Sequence, residues 1–398
     1  MVDDSSPFMF SELLAHDYQD RILDYNGKTN NYLIPSLFMD FNEYKNKFIE
    51  QAIDAGYTDA EIAGLLYYAS RLNSESIPII YDQEHLALLL GLDLPYLLAM
   101  ANSNRKFYKQ FQIPKKNGGK REIEQPLPNL LKVQYWILEN ILQKCSIDNL
   151  INPSAKAFIN DVSLSDNITP HVNQDLVVSV DIKDFFTSIS FFKVYGLFLD
   201  IMGYNKEVAV LLAKLCTFND FLPQGAPTSP ILSNMVFSRL DESISSYCQH
   251  RGYNYTRYAD DLTFSGSNIK VKLLLRYIQG MLGRRGYQLN EEKTKIMGRA
   301  SAQYVTGCTV NHKANVPRKY REKIRQEVYH LKTKGLTEHF SKVKNLPPII
   351  NTPQAYLNHL LGKVYYVLQI NPKEKEFIDY KDYLKQYIKN LQETNPNS

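Results

Sequence analysis

A chain of 398 residues with 44% hydrophobic and 22% charged residues is long enough for two or three folded subdomains. The four cysteines lie far apart without a CxxC pair, which argues against a zinc site and a disulfide framework. No apolar stretch is long enough to span a bilayer, which argues against a membrane protein. We therefore expect a cytoplasmic location. The net charge of +4 is uneven, because residues 1–100 carry 5 basic and 16 acidic residues, whereas the remainder carries 41 basic and 26 acidic residues. A basic body favours a partner with a phosphate backbone, with solvated surface lysines as the alternative.

The first 80 residues predict an acidic helical extension. Aromatic residues recur at helical spacing in residues 41–48, and residues 59–68 have the pattern of an amphipathic helix. Two roles stay open for this extension, which would either dock a partner or cover the basic body when nucleic acid is absent.

Residues 82–104 predict two short helices, Gln83–Leu90 and Pro95–Asn102, which are separated at Gly91. Asp93 is the predicted N-cap of the second helix. The pattern is similar to a helix-turn-helix. Because the segment is acidic, we interpret it as a packing module rather than a reader of DNA.

The middle of the chain alternates extended and helical patterns. Two extended runs flank a tight Gly-Gly turn at residues 118–119, and a helix is predicted over residues 128–144. The apolar run at residues 176–180 predicts a buried strand that ends in Asp181. A further helical segment is predicted over residues 191–202.

The second half of the chain continues with a loop at residues 223–230 and a helix with an apolar face over residues 232–247. Residues 253–265 predict a hairpin with two acidic residues at its turn, and residues 271–285 predict another helix. After residue 312 the sequence is helical and basic.

Three carboxylates have the pattern of a metal site. Asp260 and Asp261 are adjacent at the predicted hairpin turn, and repulsion between neighbouring carboxylates is ordinarily compensated by a divalent cation. A solvated turn is the alternative, because Asp is a common turn residue. Asp181 would add a third carboxylate if its strand end meets the hairpin turn at one sheet edge. Such a set would hold two Mg²⁺ for phosphoryl transfer.

Five motifs in a fixed order carry a resemblance to a known family. They are IPKKNGGKREI (113–123), VDIKDFF (180–186), LPQGAPTSP (222–230), YADD (258–261) and LNEEKT (289–294). In that order they resemble the fingers motif, the first catalytic motif, the template and nucleotide loop, the second catalytic motif and the following palm motif of bacterial reverse transcriptases.

Two further segments narrow the resemblance to the retron type. VTG at residues 305–307 resembles the retron element implicated in recognising the cognate non-coding RNA, and NITPH at residues 167–171 resembles region X. Region X usually has Ala where this chain has Ile168. The resemblance covers about residues 85–375.

The resemblance implies an α+β fold, a right-hand polymerase with fingers, a palm with an antiparallel sheet, and a helical thumb behind the N-terminal helical extension. The implied division is an extension (1–80), fingers (81–175), a palm with interleaved fingers segments (176–311) and a basic thumb with a C-terminal tail (312–398). Within the thumb, a duplex groove would be lined by Lys319, Arg321, Lys323 and Arg325, with a solvated helix face as the alternative.

The resemblance also implies roles for the catalytic residues. Asp181, Asp260 and Asp261 would bind two Mg²⁺, with the Ile182 carbonyl as an additional ligand. In the same implied site Lys293 would lie near the triphosphate, although a plain surface lysine is an equal alternative.

Other residues would bind the incoming dNTP. Lys116 and Arg121 would grip the triphosphate, with Lys115 as an alternative to Lys116 and a solvated basic hairpin as the competing interpretation. Phe186 would exclude a 2′-hydroxyl, and Gln224 would hydrogen-bond the nucleotide or template. Two neighbours of Phe186 are assigned elsewhere: Phe185 to the core, and Asp184 to a structural or supporting position.

RNA recognition is implied for the residues of the two retron segments, which are Asn167, His171, Val305, Thr306 and Gly307. For Asn167 and His171 the alternative is a role as turn-capping residues.

The implied activity is copying of a structured non-coding RNA into DNA from dNTPs. Priming would start at a 2′-hydroxyl of a guanosine in that RNA and leave a branched RNA–DNA product. The family acts in antiphage defence with a separate effector protein. Two alternatives remain: another class of bacterial reverse transcriptase, or a non-catalytic RNA-binding scaffold.

Overall fold

The computed structural model describes residues 40–115, 118–144, 150–343 and 346–394. Contacts divide the chain into two compact units, each built from two separate segments. The first unit comprises Met1–Pro153 and Lys183–Glu242, and the second comprises Ser154–Ile182 and Ser243–Ser398. The predicted boundaries between extension, fingers, palm and thumb remain a prediction.

The first unit is mainly helical. Its helices are α1 (Phe41–Asp54), α2 (Asp59–Ser74), α3 (Gln83–Leu90), α4 (Leu94–Asn102), α5 (Pro128–Ile137), α6 (Phe191–Gly196), α7 (Lys206–Cys216) and the first part of α8 (Ser229–Gln249). The helices predicted for residues 41–48 and 59–68 are therefore confirmed.

Capping residues set several of these helix boundaries. Thr58 and Glu61 form a capping box at the start of α2, and Asn205 accepts a hydrogen bond from a backbone N–H in the first turn of α7. Gly91 ends α3 in the left-handed conformation that glycine tolerates best. Asp93 occupies the predicted N-cap position of α4, but its side chain makes no capping hydrogen bond.

Helices α3 and α4 bury apolar side chains, including Leu86, Leu97 and Met100, as expected for a packing module. The Asn205 side chain donates to the Tyr81 carbonyl and so connects α7 to the chain just before α3. Within the described residues no single helix is long and apolar enough to cross a bilayer, and α3 and α4 would meet that test only as a pair bent by 102°.

Strands β1 (Tyr108–Pro114) and β2 (Lys120–Pro126) form an antiparallel hairpin, which confirms the two predicted extended runs. The Lys115 N–H donates to the Gly119 carbonyl across the turn at 2.6 Å. Gly118 has a φ of +89°, so the Gly-Gly dipeptide supplies the backbone conformation that the turn needs.

Two predicted helices are present with a change of winding. α5 continues as a π-helical turn over Leu138–Leu142, and α6 continues in the same way over Leu197–Ile201. Helix α7 was not predicted, because seven of its eleven residues are buried and the segment lacks a broad polar face.

The second unit contains a four-stranded antiparallel sheet in the order β4-β5-β3-β6. Its strands are β3 (Leu176–Ile182), β4 (Asn254–Tyr258), β5 (Asp261–Gly266) and β6 (Leu289–Gly298), followed in the chain by the short strands β7 (Tyr304–Val305) and β8 (Cys308–Thr309). The predicted buried strand and hairpin are confirmed. Strand β6 was not predicted, because its polar and largely exposed residues lack the alternation of a half-buried strand.

Helix α9 (Val271–Gly283) lies between β5 and β6 in the chain. The helices at the C-terminal end surround an apolar core that includes Val328, Leu360 and Phe377. They are α10 (Arg318–Lys334), α11 (Leu336–Lys342), α12 (Pro353–Ile370) and α13 (Lys375–Thr394). The predicted helical character after residue 312 is confirmed, and helices with an antiparallel sheet confirm the α+β class.

Candidate active site

The three predicted catalytic aspartates lie at one edge of the four-stranded sheet. Asp181 is the penultimate residue of β3 and is the cross-strand partner of Asp261, the first residue of β5. Asp260 precedes β5, and its carbonyl accepts a hydrogen bond of 2.9 Å from the Ile182 N–H. The strand end and the hairpin turn therefore meet as the sequence pattern predicts.

The turn that carries Asp260 spans residues 258–261 and is called the acidic turn below. Ala259 adopts a φ of +57°, an uncommon conformation for a residue with a side chain. The Arg257 side chain is fully buried, and its Nη1 donates to the Ala259 carbonyl at 3.1 Å. Sequence reasoning treated Arg257 only as a strand residue, because its full burial is set by the fold and not by the local sequence.

Crowding of negative charge perturbs the site. Burial raises the pKa of Asp261 to about 6, and the charges of Asp260 and Asp181 act in the same direction. The Lys293 ammonium contacts both carboxylate oxygens of Asp181 at 2.9 Å, and this hydrogen bonding raises the pKa of Lys293. Lys293 is more than half exposed but bonds Asp181, and its position near the triphosphate stays a prediction.

The donor chemistry fits a hard divalent cation, because three aspartates lie at one sheet edge, where burial and then the charges of Asp260 and Asp181 raise the pKa of Asp261. In the part of the chain that the structure describes, no three His, Cys, Asp or Glu side chains are already arranged as a ligand set. The Asp181 oxygens instead bind Lys293. Binding of a metal by these side chains therefore requires Asp181 to change its partner.

Two of the predicted nucleotide-binding residues of the first unit, Arg121 and Gln224, lie on adjoining elements. Arg121 lies in β2 opposite Ile113 and is exposed, whereas Lys116 lies outside the described residues. Lys115, its alternative, is exposed at the start of the turn.

Glu124 of β2 clamps the loop that carries Gln224. The Gln224 N–H donates to the Glu124 carboxylate, and the Gln224 carbonyl accepts from the Glu124 N–H, each at 2.9 Å. A Cβ at Gly225 would lie 2.8 Å from the Glu124 carbonyl oxygen, so the loop approaches the strand as only glycine permits. Sequence reasoning missed Glu124, because a carboxylate in a basic hairpin has no local signature.

The two adjacent phenylalanines have different surroundings. Phe185 is buried and its ring lies edge-on to Phe237 at 5.7 Å, which confirms its assignment to the core. Phe186 begins a short 3-10 turn and remains partly exposed, as a residue that meets a ligand requires. Asp184 has a φ of +48° and its carbonyl accepts from the Ser188 N–H, a structural role in this turn.

Region X, residues 167–171, is buried. His171 is fully buried, with Nδ1 bonded to Ser265 Oγ at 2.7 Å and Nε2 to Thr256 Oγ1 at 2.8 Å, so it fastens β5 and β4. Asn167 is also fully buried, and its Nδ2 donates to Thr306 Oγ1 at 3.3 Å. Neither side chain has an exposed atom for direct RNA contact, which corrects that part of the prediction: both support the residues that surround them.

The VTG residues form a two-residue hairpin turn between β7 and β8, called the VTG turn below. Val305 is buried and pairs with Cys308, whereas Thr306 and Gly307 have φ values of +45° and +82°. Positive φ at both central residues defines a type I′ turn, the geometry that fits the twist of a tight hairpin. Gly307 is exposed and Thr306 partly so, which leaves the turn accessible.

The four basic residues predicted for a duplex groove on α10 divide into two pairs. Arg325 makes a bidentate contact with Glu376, and Arg321 bonds Glu374, so these two side chains hold α10 to the start of α13. These two charges are paired within the unit, and the predicted groove stays a prediction. Lys319 and Lys323 are exposed and stay available to a phosphate backbone.

Comparison with known proteins identifies the family. A family model described as reverse transcriptase (RNA-dependent DNA polymerase) matches residues 113–310. Over 339 residues the chain is 31% identical to the retron Mx65 reverse transcriptase of Myxococcus xanthus, and the aligned region covers 78% of this chain and 74% of that protein. The chain belongs to the retron reverse transcriptases.

Two relatives from Escherichia coli support the same assignment. The retron Ec86 reverse transcriptase is 33% identical over 265 residues, with 66% of this chain and 81% of that protein covered. The retron Ec83 reverse transcriptase is 31% identical over 297 residues, with 69% and 86% covered. Family membership confirms the predicted polymerase fold and the RNA-directed DNA polymerase activity, and the matched range contains the acidic turn, Asp181 and the VTG turn.

Proposed function

We propose that this reverse transcriptase copies a structured non-coding RNA into branched, multicopy single-stranded DNA by a mechanism that uses two Mg²⁺. The observation that carries the proposal is the convergence of Asp181, Asp260 and Asp261 at one sheet edge in a member of the retron family. The alternative of a non-catalytic scaffold has no support, because a scaffold would not need three crowded carboxylates.

Asp181, Asp260 and Asp261 would hold the two metal ions, with the Ile182 carbonyl as a further ligand. When bound, the ions supply activation of the attacking hydroxyl and stabilisation of the leaving pyrophosphate. The chain's own task is to fix these carboxylates. Cross-strand pairing fixes Asp181 beside Asp261, and the buried Arg257 fixes the turn that carries Asp260.

The dNTP would be held by residues of the first unit. Arg121 and Lys116 would neutralise the triphosphate, and Glu124 keeps the Gln224 loop on the strand that carries Arg121. Phe186 would lie under the sugar and reject a ribose 2′-hydroxyl by steric exclusion. Lys293 would meet the triphosphate once its amino group leaves Asp181.

Recognition of the template RNA would centre on the VTG turn. The exposed Gly307 and the partly exposed Thr306 would contact the RNA, and Lys319 and Lys323 would supply positive charge for the RNA–DNA duplex. Priming from a guanosine 2′-hydroxyl of the same RNA would give the branched product. We further propose a cytoplasmic role in antiphage defence together with a separate effector protein, following the family resemblance.

Copurification with product analysis tests the proposal. The wild-type protein is purified from its host, and its bound RNA and DNA are sequenced with and without treatment by a 2′–5′ debranching enzyme. We expect one structured RNA joined to a DNA complementary to part of it. Linear DNA without a branch would contradict the proposed branched product, and only the reverse transcriptase activity would remain supported.

Primer extension tests the chemistry separately. With Mg²⁺ and dNTPs the wild type should extend a DNA primer on RNA, whereas Asp260→Asn should not. Asp161→Asn is a matched control, since Asp161 is an exposed aspartate of the same unit with a φ of +60°, a conformation that Asn tolerates. Equal extension by wild type and Asp260→Asn would overturn the proposed mechanism.

A further inference from the structure

The amino group of Lys293 lies where a cation would contact Asp181. Its Nζ is 2.9 Å from both Asp181 oxygens, so one ammonium occupies the whole carboxylate. The Asp181 side chain is 8% exposed, whereas that of Lys293 is 53% exposed. The lysine therefore reaches from the surface onto a nearly buried carboxylate, and a metal ion and the ammonium cannot share the same two oxygens.

The backbone around Lys293 allows the amino group to withdraw. The register between β3 and β6 shifts, since Ser179 pairs with Lys295 whereas Asp181 pairs with Asn290. Residues 291–294 consequently bulge between these two pairs and have no partner residue in β3. Lys293 can leave Asp181 through side-chain rotation or a shift of the bulge while the paired part of the sheet stays intact.

A lysine two residues further along β6 shows that proximity alone does not explain this contact. Lys295 also contributes positive potential at Asp261, but it is exposed and has no ion pair with Asp181. Both lysines thus contribute positive potential at the site, but only Lys293 contacts Asp181 where a metal ion would bind it.

We propose that Lys293 is a resident counter-cation of the active site, which a divalent metal must displace from Asp181 before it binds there. The inference rests on the proposed metal-binding role of the three aspartates. It makes Lys293 a determinant of metal affinity: the side chain preserves the site without metal and opposes premature loading.

Metal titration of the nucleic-acid-free protein tests this competition. Mn²⁺ binding is measured by calorimetry for the wild type, Lys293→Met and the matched control Lys295→Met. Both substitutions remove one positive charge near the site, but only the first removes the competitor, so we expect Mn²⁺ to bind Lys293→Met about tenfold more tightly and Lys295→Met within about threefold of wild type. Equal or weaker binding by Lys293→Met than by Lys295→Met would overturn the proposal.

A second measurement needs no variant. The rate of acetylation of each lysine by an amine-reactive ester is read by mass spectrometry in the wild-type protein, with and without Mg²⁺. Release from Asp181 should raise the rate at Lys293 at least about threefold, because an amino group held against the carboxylate is less accessible to the reagent, while the rate at Lys295 stays the same. An unchanged rate at Lys293 would refute displacement.

Failure of this inference is distinguishable from failure of the proposed function. If Asp181→Asn and Asp260→Asn lose Mn²⁺ binding but Lys293→Met does not tighten it, the aspartates are metal ligands and only the competition is wrong. If Asp181→Asn and Asp260→Asn bind Mn²⁺ as the wild type does, the metal role itself is wrong and the inference falls with it.

Discussion

Two tight turns of the second unit are similar in backbone and different in support. The acidic turn and the VTG turn each join neighbouring antiparallel strands, and each contains a non-glycine residue with positive φ, Ala259 and Thr306. The acidic turn is held by Arg257 of its own hairpin and by the Ile182 N–H of β3, whereas the VTG turn is held by the Asn167 side chain, 139 residues away in the chain. The acidic turn is therefore tied into the four-stranded sheet by its backbone, whereas the VTG turn depends on a side chain of region X.

The largest expected effect concerns the acidic turn. Asp261→Asn should lower dNTP incorporation at least about a thousandfold, because it removes a charge that the metals require. The affinity for the copurified RNA should stay within about threefold, since the VTG turn is unchanged. Single-turnover extension and filter binding measure the two quantities. A parallel loss of both would show that the two turns do not have separate tasks.

The next effect tests whether Arg257 supports the acidic turn. Arg257→Met should slow extension about a hundredfold and lower the free energy of unfolding by about 3 kcal/mol, because a buried guanidinium and its bond to Ala259 are lost. Rate and urea unfolding are measured with Arg299→Met as the control, since Arg299 is an exposed arginine paired with Asp175 at the surface of the same unit. If stability falls without any change in rate, Arg257 is only a core residue.

A smaller effect concerns pH and region X. Burial lowers the pKa of His171 from 6.5 to about 3, so the folded state keeps this ring neutral while the unfolded chain takes up a proton below about pH 6.5. Stability should therefore fall as the pH falls, by about 2 kcal/mol at about pH 5 from this residue.

The control is His171→Asn, which should be less stable at neutral pH but lose less stability on acidification. Urea unfolding at two pH values measures the change. The stability of His171→Asn should still decrease somewhat at the lower pH, because burial also lowers the pKa of His85, to about 4. An identical pH slope in wild type and His171→Asn would contradict the assignment.

The smallest effect concerns the VTG turn. Gly307→Val should lower the affinity for the cognate RNA about tenfold relative to an unrelated primer–template, because a β-branched residue cannot easily adopt the φ of +82° that the turn requires. Gly286→Val is a matched control, since Gly286 has a φ of +75° and open space around its Cβ position but lies in the turn that follows α9. Equal loss of RNA selectivity in both variants would show only general destabilisation.

The acidic site could be predicted because two local patterns mark its residues: a strand pattern ends at Asp181, and a hairpin pattern places its turn at Asp260. It did not reveal Lys293 on Asp181, because that contact depends on a register shift which no residue pattern encodes. Glu124 was missed because its partner Gln224 lies 100 residues away in the chain.

Region X shows a different limit of sequence reasoning. Its motif pointed to Asn167 and His171, but a motif cannot distinguish a side chain that touches a ligand from one that supports its neighbours. Burial decides this, and burial depends on the packing of β4, β5 and the VTG turn around the segment.

The buried segment also determines what can be exchanged between relatives. Asn167 bonds the VTG turn through its side chain and accepts from Thr256 of β4 through its carbonyl, while His171 bonds Thr256 and Ser265. The hairpin at residues 304–309 is thus not a detachable part. A chimera designed to accept another retron's RNA would have to transplant this hairpin together with residues 163–171. Whether the transplanted segments fold would then depend on the match between these two segments.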